Sequence, residues 1–204
     1  MFMTTEIIFD IETKKLFEEI DGFDPSALGV SIVSLYKRTL DKQGKEVTGE
    51  MMSFWDTEIP KMWTHFTNVD RVIGYNSLKF DVPALAPLCP YDFRKIPHFD
   101  MLDYLKQKLG FRIGLGAVAA QTIGHTKSDV GTNAVVYWHE HTPESLQKLK
   151  SYCEMDVLVT KEVYDFGRTH RSLSFVDKWN TLRTIEVDFS YPEINLSQEQ
   201  MGLF

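Results

Sequence analysis

The sequence predicts a mixed α/β sheet: an antiparallel meander of three strands, then strands alternating with helices, with helices flanking the sheet. Three observations predict it. Residues 5–11 (Thr-Glu-Ile-Ile-Phe-Asp-Ile) form a short, apolar, β-branched run, the mark of a buried strand. Residues 28–37 and 47–55 also look like strands, joined through the turn signal Asp41-Lys42-Gln43-Gly44. Beyond residue 70, short apolar runs each lead into a helical stretch.

Residues 71–75 (Arg-Val-Ile-Gly-Tyr) are a fourth short strand, and residues 96–99 a fifth. Residues 81–88 form a short helix, with Pro83 tolerated in its first turn. Helices at 101–109 and 115–123 stop at Gly110 and Gly124. Thr142 as N-cap and Pro143 as first helical residue open a long helix reaching about Arg168. Residues 183–191 form a last strand. The domain therefore spans 1–191, and 192–204 form an exposed tail.

Composition excludes some functions. A formal net charge of −7 argues against a protein that coats long duplex nucleic acid with a basic face. It leaves room for an enzyme that grips a strand end, because acidic metal ligands lower the net charge themselves. No apolar run approaches the ~20 residues of a membrane span. The N-terminus lacks a signal-peptide pattern. Two cysteines, Cys89 and Cys153, make neither a disulfide framework nor a metal-ligand spacing, so a cytoplasmic location is expected.

Three pieces carry chemistry. Asp10-Ile11-Glu12 ends the first strand, and residues two apart on a strand share a face. Two carboxylates there suit a hard cation. Alone the pair is no better than Asp56-Thr57-Glu58, which reads as a solvated helix start. Phe80-Asp81 opens a helix after a buried strand and a polar turn. By itself, the motif reads as Asp81 serving as an N-cap and Phe80 as a core anchor. Tyr152 and Asp156 lie four apart on one face of the long helix, beside Leu149 and Val159. An inward carboxylate needs a partner or a metal, whereas a surface aspartate needs neither.

Together the pieces resemble the DEDD 3′–5′ exonuclease superfamily: Asp-x-Glu on a first strand, Asn-x-x-x-Phe-Asp into a helix, and Tyr-x-x-x-Asp on a late helix. Residues 73–83 look especially like the proofreading domain of family B DNA polymerases. His98-Phe99-Asp100-Met101-Leu102 and Leu115-Gly116-Ala117-Val118-Ala119 match its supporting segments. Position 151, where the histidine variant carries His, is Ser, and Tyr152 follows, so the chain resembles the tyrosine subclass. His139 and His141 lie too far upstream to match and read as loop or surface residues.

The resemblance implies a ribonuclease H-like fold with a mixed five-stranded sheet. It also implies two Mg²⁺ or Mn²⁺ ions at a scissile phosphate. Asp10 would bridge both ions, Glu12 and Asp156 would complete the first site, and Asp81 would support the second. Tyr152 would orient the attacking water. Asn76, Lys79 and Phe80 would contact substrate, with Tyr75, Leu16 and Phe17 as further stacking candidates. Lys14, Lys15, Lys79 and Arg112 are candidate phosphate contacts, each also readable as a solvated charge.

The last five residues, Gln200-Met201-Gly202-Leu203-Phe204, resemble the peptide by which bacterial proteins bind the replication sliding clamp. Gln200, Met201, Leu203 and Phe204 would be its anchors. An apolar tail folding back on its own domain is the other reading. The clamp resemblance favours DNA over RNA and a bacterial enzyme of DNA repair or replication; the expected partner is a nucleic-acid 3′ end, single-stranded DNA ahead of RNA. An exoribonuclease, a non-catalytic adaptor binding strand ends and the clamp, and an endonuclease remain alternatives.

Overall fold

A computed structural model describes residues 3–125 and 132–191. Five strands form one mixed sheet, with the first strand at its centre. β1 (Thr4–Thr13) pairs antiparallel with β2 (Val30–Leu40), which pairs antiparallel with β3 (Glu46–Trp55). On the other side of β1, β4 (Arg71–Gly74) and then β5 (His98–Asp100) add in parallel.

The central strand is apolar on both faces because both are covered. Ile7, Phe9 and Ile11 pack against Ile59 and Met62 of α1 (Ile59–Met62) and Val82 and Leu85 of α2 (Asp81–Leu85). Ile8 faces the other way. It packs with α3 (Met101–Leu109), α4 (Leu115–Thr122) and α6 (Pro143–His170). Each such side chain, wholly buried, stabilises the fold by roughly 1.5–3 kcal/mol. Strand alternation therefore puts Glu6, Ile8, Asp10 and Glu12 on the α6 face.

At the start of β1 that face holds an ion cluster. Glu6 and Arg38 are almost wholly buried. Arg38 donates to Glu6 at 2.9 Å and to both oxygens of Asp165 on α6 at 2.6 and 2.8 Å. The hydroxyls of Tyr164 and Tyr191 also donate to Glu6. Arg71 donates to the carbonyls of Phe189 and Ser190, binding the segment after the last strand to β4. Phe189 in turn lies so close to α6 that a Cβ at Gly167 would collide with its ring.

Several expectations change. The short helix stops at Leu85, since Pro87 has no N–H to extend it, and Ala86–Leu88 continue as a 3-10 turn. Asp56–Glu58 is a helix start as expected, a 3-10 turn running into α1, but Asp56 is paired with Lys14 at 2.8 Å rather than simply solvated. An unanticipated helix, α5 (Thr132–Glu140), precedes α6 and contains His139. The last strand, β7, covers only Leu182–Glu186 and pairs with an unanticipated β6 (Ser172–Val176) in a separate two-stranded sheet. Val187 and Phe189 continue the alternation, but they point into the core rather than along a ladder. The tail, residues 192–204, lies outside the described residues.

Candidate metal centre

Three elements bring the acidic residues together. Asp10 and Glu12 stand on the α6 face at the carboxyl end of β1. α6 crosses that end, its start fixed by a capping box between Thr142 and Ser145. Its buried stripe of Leu149, Cys153 and Val157 faces the sheet. Cys153 packs beneath the site, its thiol 3.5 Å from the Asp10 carbonyl oxygen. Burial pushes that thiol well above its usual range, with the Asp10 and Glu12 charges adding to the rise. It is held as an inert, protonated packing group.

With this packing, Asp156 meets the strand pair. Asp10, Glu12 and Asp156 each offer a carboxylate oxygen, and these atoms lie within 4.8 Å of one another. Like charges that close repel strongly unless a cation lies between them. All the donors are hard oxygens, which suits Mg²⁺ or Mn²⁺. The chemistry of the donor set therefore fits a divalent ion.

Asp81 occupies the floor of the same cleft, outside that trio. It is 4% exposed. Burial pushes its carboxyl up to about 7; its own N–H and that of Ile11 oppose the rise, and the Asp100 charge adds to it.

Tyr152 sits one helical turn before Asp156 and half-buried. Burial first, then the charges of Asp156, Glu12 and Asp10 and a hydrogen bond to Asp156, push its phenol well above its usual range. It stays protonated at neutral pH, a hydrogen-bond donor facing three carboxylates.

A cleft of 330 Å³ opens over Asp10, Glu12, Asp81 and Asp156. Phe17 and Phe80, ring centroids 6.0 Å apart, line it together with Leu16, Lys15, Tyr75 and Asn76. Val135 of the unanticipated α5 closes another side. Phe80 both lines the cleft and packs on the core cluster. Tyr152 and Asp156 also line a second cavity of 320 Å³, with Leu115, Tyr137 and Met155. Lys79 is not brought to the cleft; its ammonium lies 3.9 Å from Asp103. Lys14 is committed to Asp56 and lies over the Trp138 ring. Arg112 reaches the rim, where it donates to Asn76 at 2.9 Å.

Asp100 positions the wall. Almost fully buried, it accepts from the backbone N–H groups of Asn76, Leu78, Leu102 and Asp103 at 2.9 to 3.2 Å. It caps α3 and also holds the loop that leads into Asp81. The sequence showed an aspartate after a strand but not the second of these tasks.

A family model, RNase_H_2 of the RNase_H superfamily, matches residues 7–166, from β1 into α6. The chain belongs to the RNase H superfamily. No curated protein matches it. Nucleases of RNase H-like fold use divalent metals, so superfamily membership and the carboxylate trio together point to a metal-dependent nuclease. Among the described residues, no helix of this RNase H-like chain is long and apolar enough to cross a membrane.

Proposed function

We propose that the chain is a 3′–5′ exonuclease of the tyrosine (DEDDy) kind. It would hydrolyse the terminal phosphodiester of a DNA strand and release nucleoside 5′-monophosphates. Asp10, Glu12 and Asp156, with Asp81 beside them, would hold two Mg²⁺ or Mn²⁺ ions. Bound there, such ions supply Lewis acidity, acidifying a water and stabilising charge on the leaving 3′ oxygen.

The observation that carries this reading is Tyr152 facing the trio. A phenol held protonated by burial and by neighbouring carboxylates donates a hydrogen bond and does not act as a base. It is suited to orienting a water for in-line attack. Asp10 and Glu12 are held rigidly by β1, and Asp156 by the capped α6, so the oxygens that would hold the ions are in place before substrate arrives. Phe17 and Phe80 supply a sequence-tolerant apolar platform for the terminal base. No side-chain nucleophile is required.

In the same reading the enzyme works in bacterial DNA repair or replication. Gln200, Met201, Leu203 and Phe204, which lie outside the described residues, dock on the replication sliding clamp.

The test is a strand assay with Mg²⁺ or Mn²⁺ on 5′-labelled single-stranded DNA, duplex DNA and RNA, and on an internally labelled DNA circle. Stepwise shortening from the 3′ end of linear DNA, with the circle intact, is the expected outcome. Cleavage of the circle overturns the exonuclease reading, and shortening of RNA alone overturns DNA as substrate. Deleting residues 200–204 should abolish co-elution with the clamp and spare hydrolysis of short oligonucleotides.

A further inference from the structure

The cleft holds four carboxylates at its floor, and its substrate in the proposed function is a polyanion. Such a strand needs a cation near the mouth. The cations of this region differ sharply in what they are free to do. Lys14 is paired with Asp56 at 2.8 Å, and Lys79 leans towards Asp103. Arg38 and Arg71 are buried in the network at the far end of β1.

Two exposed cations remain, Lys15 on the lining of the cleft and Arg112 beside Asn76, and among the described residues Arg112 is the one whose side chain is held by a hydrogen bond. Among the described residues its guanidinium has no carboxylate within ion-pair distance, and its hydrogen bond goes to a neutral group, Asn76 Oδ1, at 2.9 Å. Its charge is therefore not cancelled locally. Its position is nonetheless fixed. Ile113, the next residue, is buried, and its carbonyl accepts from the Tyr75 hydroxyl at 2.7 Å. Tyr75 immediately precedes Asn76, so the Arg112 loop and the cleft wall are tied at two adjacent positions.

Asn76 is fixed as well. It has a left-handed backbone, φ 68°, and its N–H is held by Asp100. Arginine has only donors, so the amide end facing it must be the oxygen. That leaves the amide NH₂ as the end of Asn76 available to a ligand in the cleft it lines. The rim thus offers a guanidinium fork and an amide donor side by side, a pairing suited to the two non-bridging oxygens of a phosphodiester.

We infer that Arg112 and Asn76 form a clamp for a second phosphodiester of the strand, on the 5′ side of the scissile one. This rests on the exonuclease reading for the side. On a strand with a free 3′ hydroxyl, every phosphate other than the terminal linkage lies 5′ to it.

The test uses the full chain and two measurements. The first is fluorescence anisotropy of a labelled single-stranded DNA oligonucleotide, repeated with RNA, with Ca²⁺ in place of Mg²⁺. Arg112→Ala should bind about tenfold more weakly, and the log–log salt slope should fall by roughly 0.7, the share of one phosphate contact on a single strand. Arg112→Lys, which keeps the charge but not the fork, should lie between.

The second measurement compares hydrolysis of an oligonucleotide with that of thymidine 5′-monophosphate p-nitrophenyl ester, which has no second phosphate. Arg112→Ala should raise KM for the oligonucleotide about tenfold more than for the ester. Unchanged binding and salt slope in Arg112→Ala, or equal loss on both substrates, overturns the clamp. The two readings fail separately. If the strand binds in an Arg112-dependent way but is never shortened, the clamp stands and the exonuclease falls. If the strand is shortened and Arg112→Ala binds it like the wild type, the reverse holds.

Discussion

Asp100 Oδ1 accepts the backbone N–H of Asn76 at 2.9 Å, and through that bond the end of β5 holds the loop between β4 and α2. The same carboxylate caps α3. One buried side chain therefore sets both the wall of the cleft and the approach to Asp81.

Asp100→Ala should cost roughly 2–3 kcal/mol, because it removes a helix cap and leaves buried N–H groups without acceptors. A fall in Tm of roughly 5–10 °C would follow for a chain of this size. Oligonucleotide affinity should fall with it, as Asn76 loses its anchor. Asp100→Asn, keeping one oxygen, should restore part of both. A variant with wild-type melting would show that the loop is held by other contacts.

Asp10→Ala should remove hydrolysis while the metal-free protein melts no lower than wild type, since the change deletes both a ligand and a like-charge repulsion within the 4.8 Å cluster. The readouts are the 3′-end assay and thermal melting in chelator. Hydrolysis surviving in Asp10→Ala or Asp156→Ala sinks the assignment.

Divalent ion should stabilise the folded chain. At 100 times its Kd, an ion that binds only the native state adds about 2.7 kcal/mol, which raises Tm by roughly 5–10 °C. Mg²⁺ or Mn²⁺ titration followed by melting measures it. Asp10→Asn should lose most of the shift. A shift of equal size in that variant would place the ion elsewhere.

Arg38 should be intolerant of neutralisation. Arg38→Met leaves Glu6 buried and uncompensated, at a cost of about 3–5 kcal/mol. The cluster also sets an acid limit. Burial alone would raise the Asp165 carboxyl, but Arg38 and Lys161 outweigh it and hold the group below its usual 3.8. A lowered folded pKa stabilises above the unfolded value, and that stability is lost as pH falls through the folded one. The contribution of Asp165 is thus full at neutral pH and fades below about 3.8. Asp165→Asn should be less stable than wild type at pH 7, with a flatter acid limb in a pH-melting series. An unchanged limb would remove Asp165 from the account.

Much of the sheet and much of the centre were legible because both depend on short-range periodicity. β1 reads as a strand from its own residues, and strand parity puts Asp10 and Glu12 on one face with Ile8. Tyr152 and Asp156 are paired by helical spacing, and Thr142-Pro143 marks the start of α6. α5 was not legible. Ala134-Val135-Val136-Tyr137-Trp138 is rich in β-branched and aromatic residues, which favour strands, and it is helical where Ala134 packs beside α6 and Val135 against the cleft. The β6–β7 hairpin was half legible: alternation persists through Val187 and Phe189, but whether a residue joins a ladder or a core depends on what lies opposite.

By itself the sequence determined the central strand, the order of the acidic residues and the face each occupies, since these follow from backbone geometry within a few residues. The tertiary structure alone decided how close Asp156 comes to Asp10 and Glu12, that Asp81 is buried and its carboxyl raised, and that Asp100 serves two elements at once. It also separated Arg112 from Lys14 and Lys79, which read as equivalent cations along the chain. Distance, burial and the pairing of a charge depend on residues far apart in sequence, and only the packing of α6 and β5 against β1 and β4 brings those residues together.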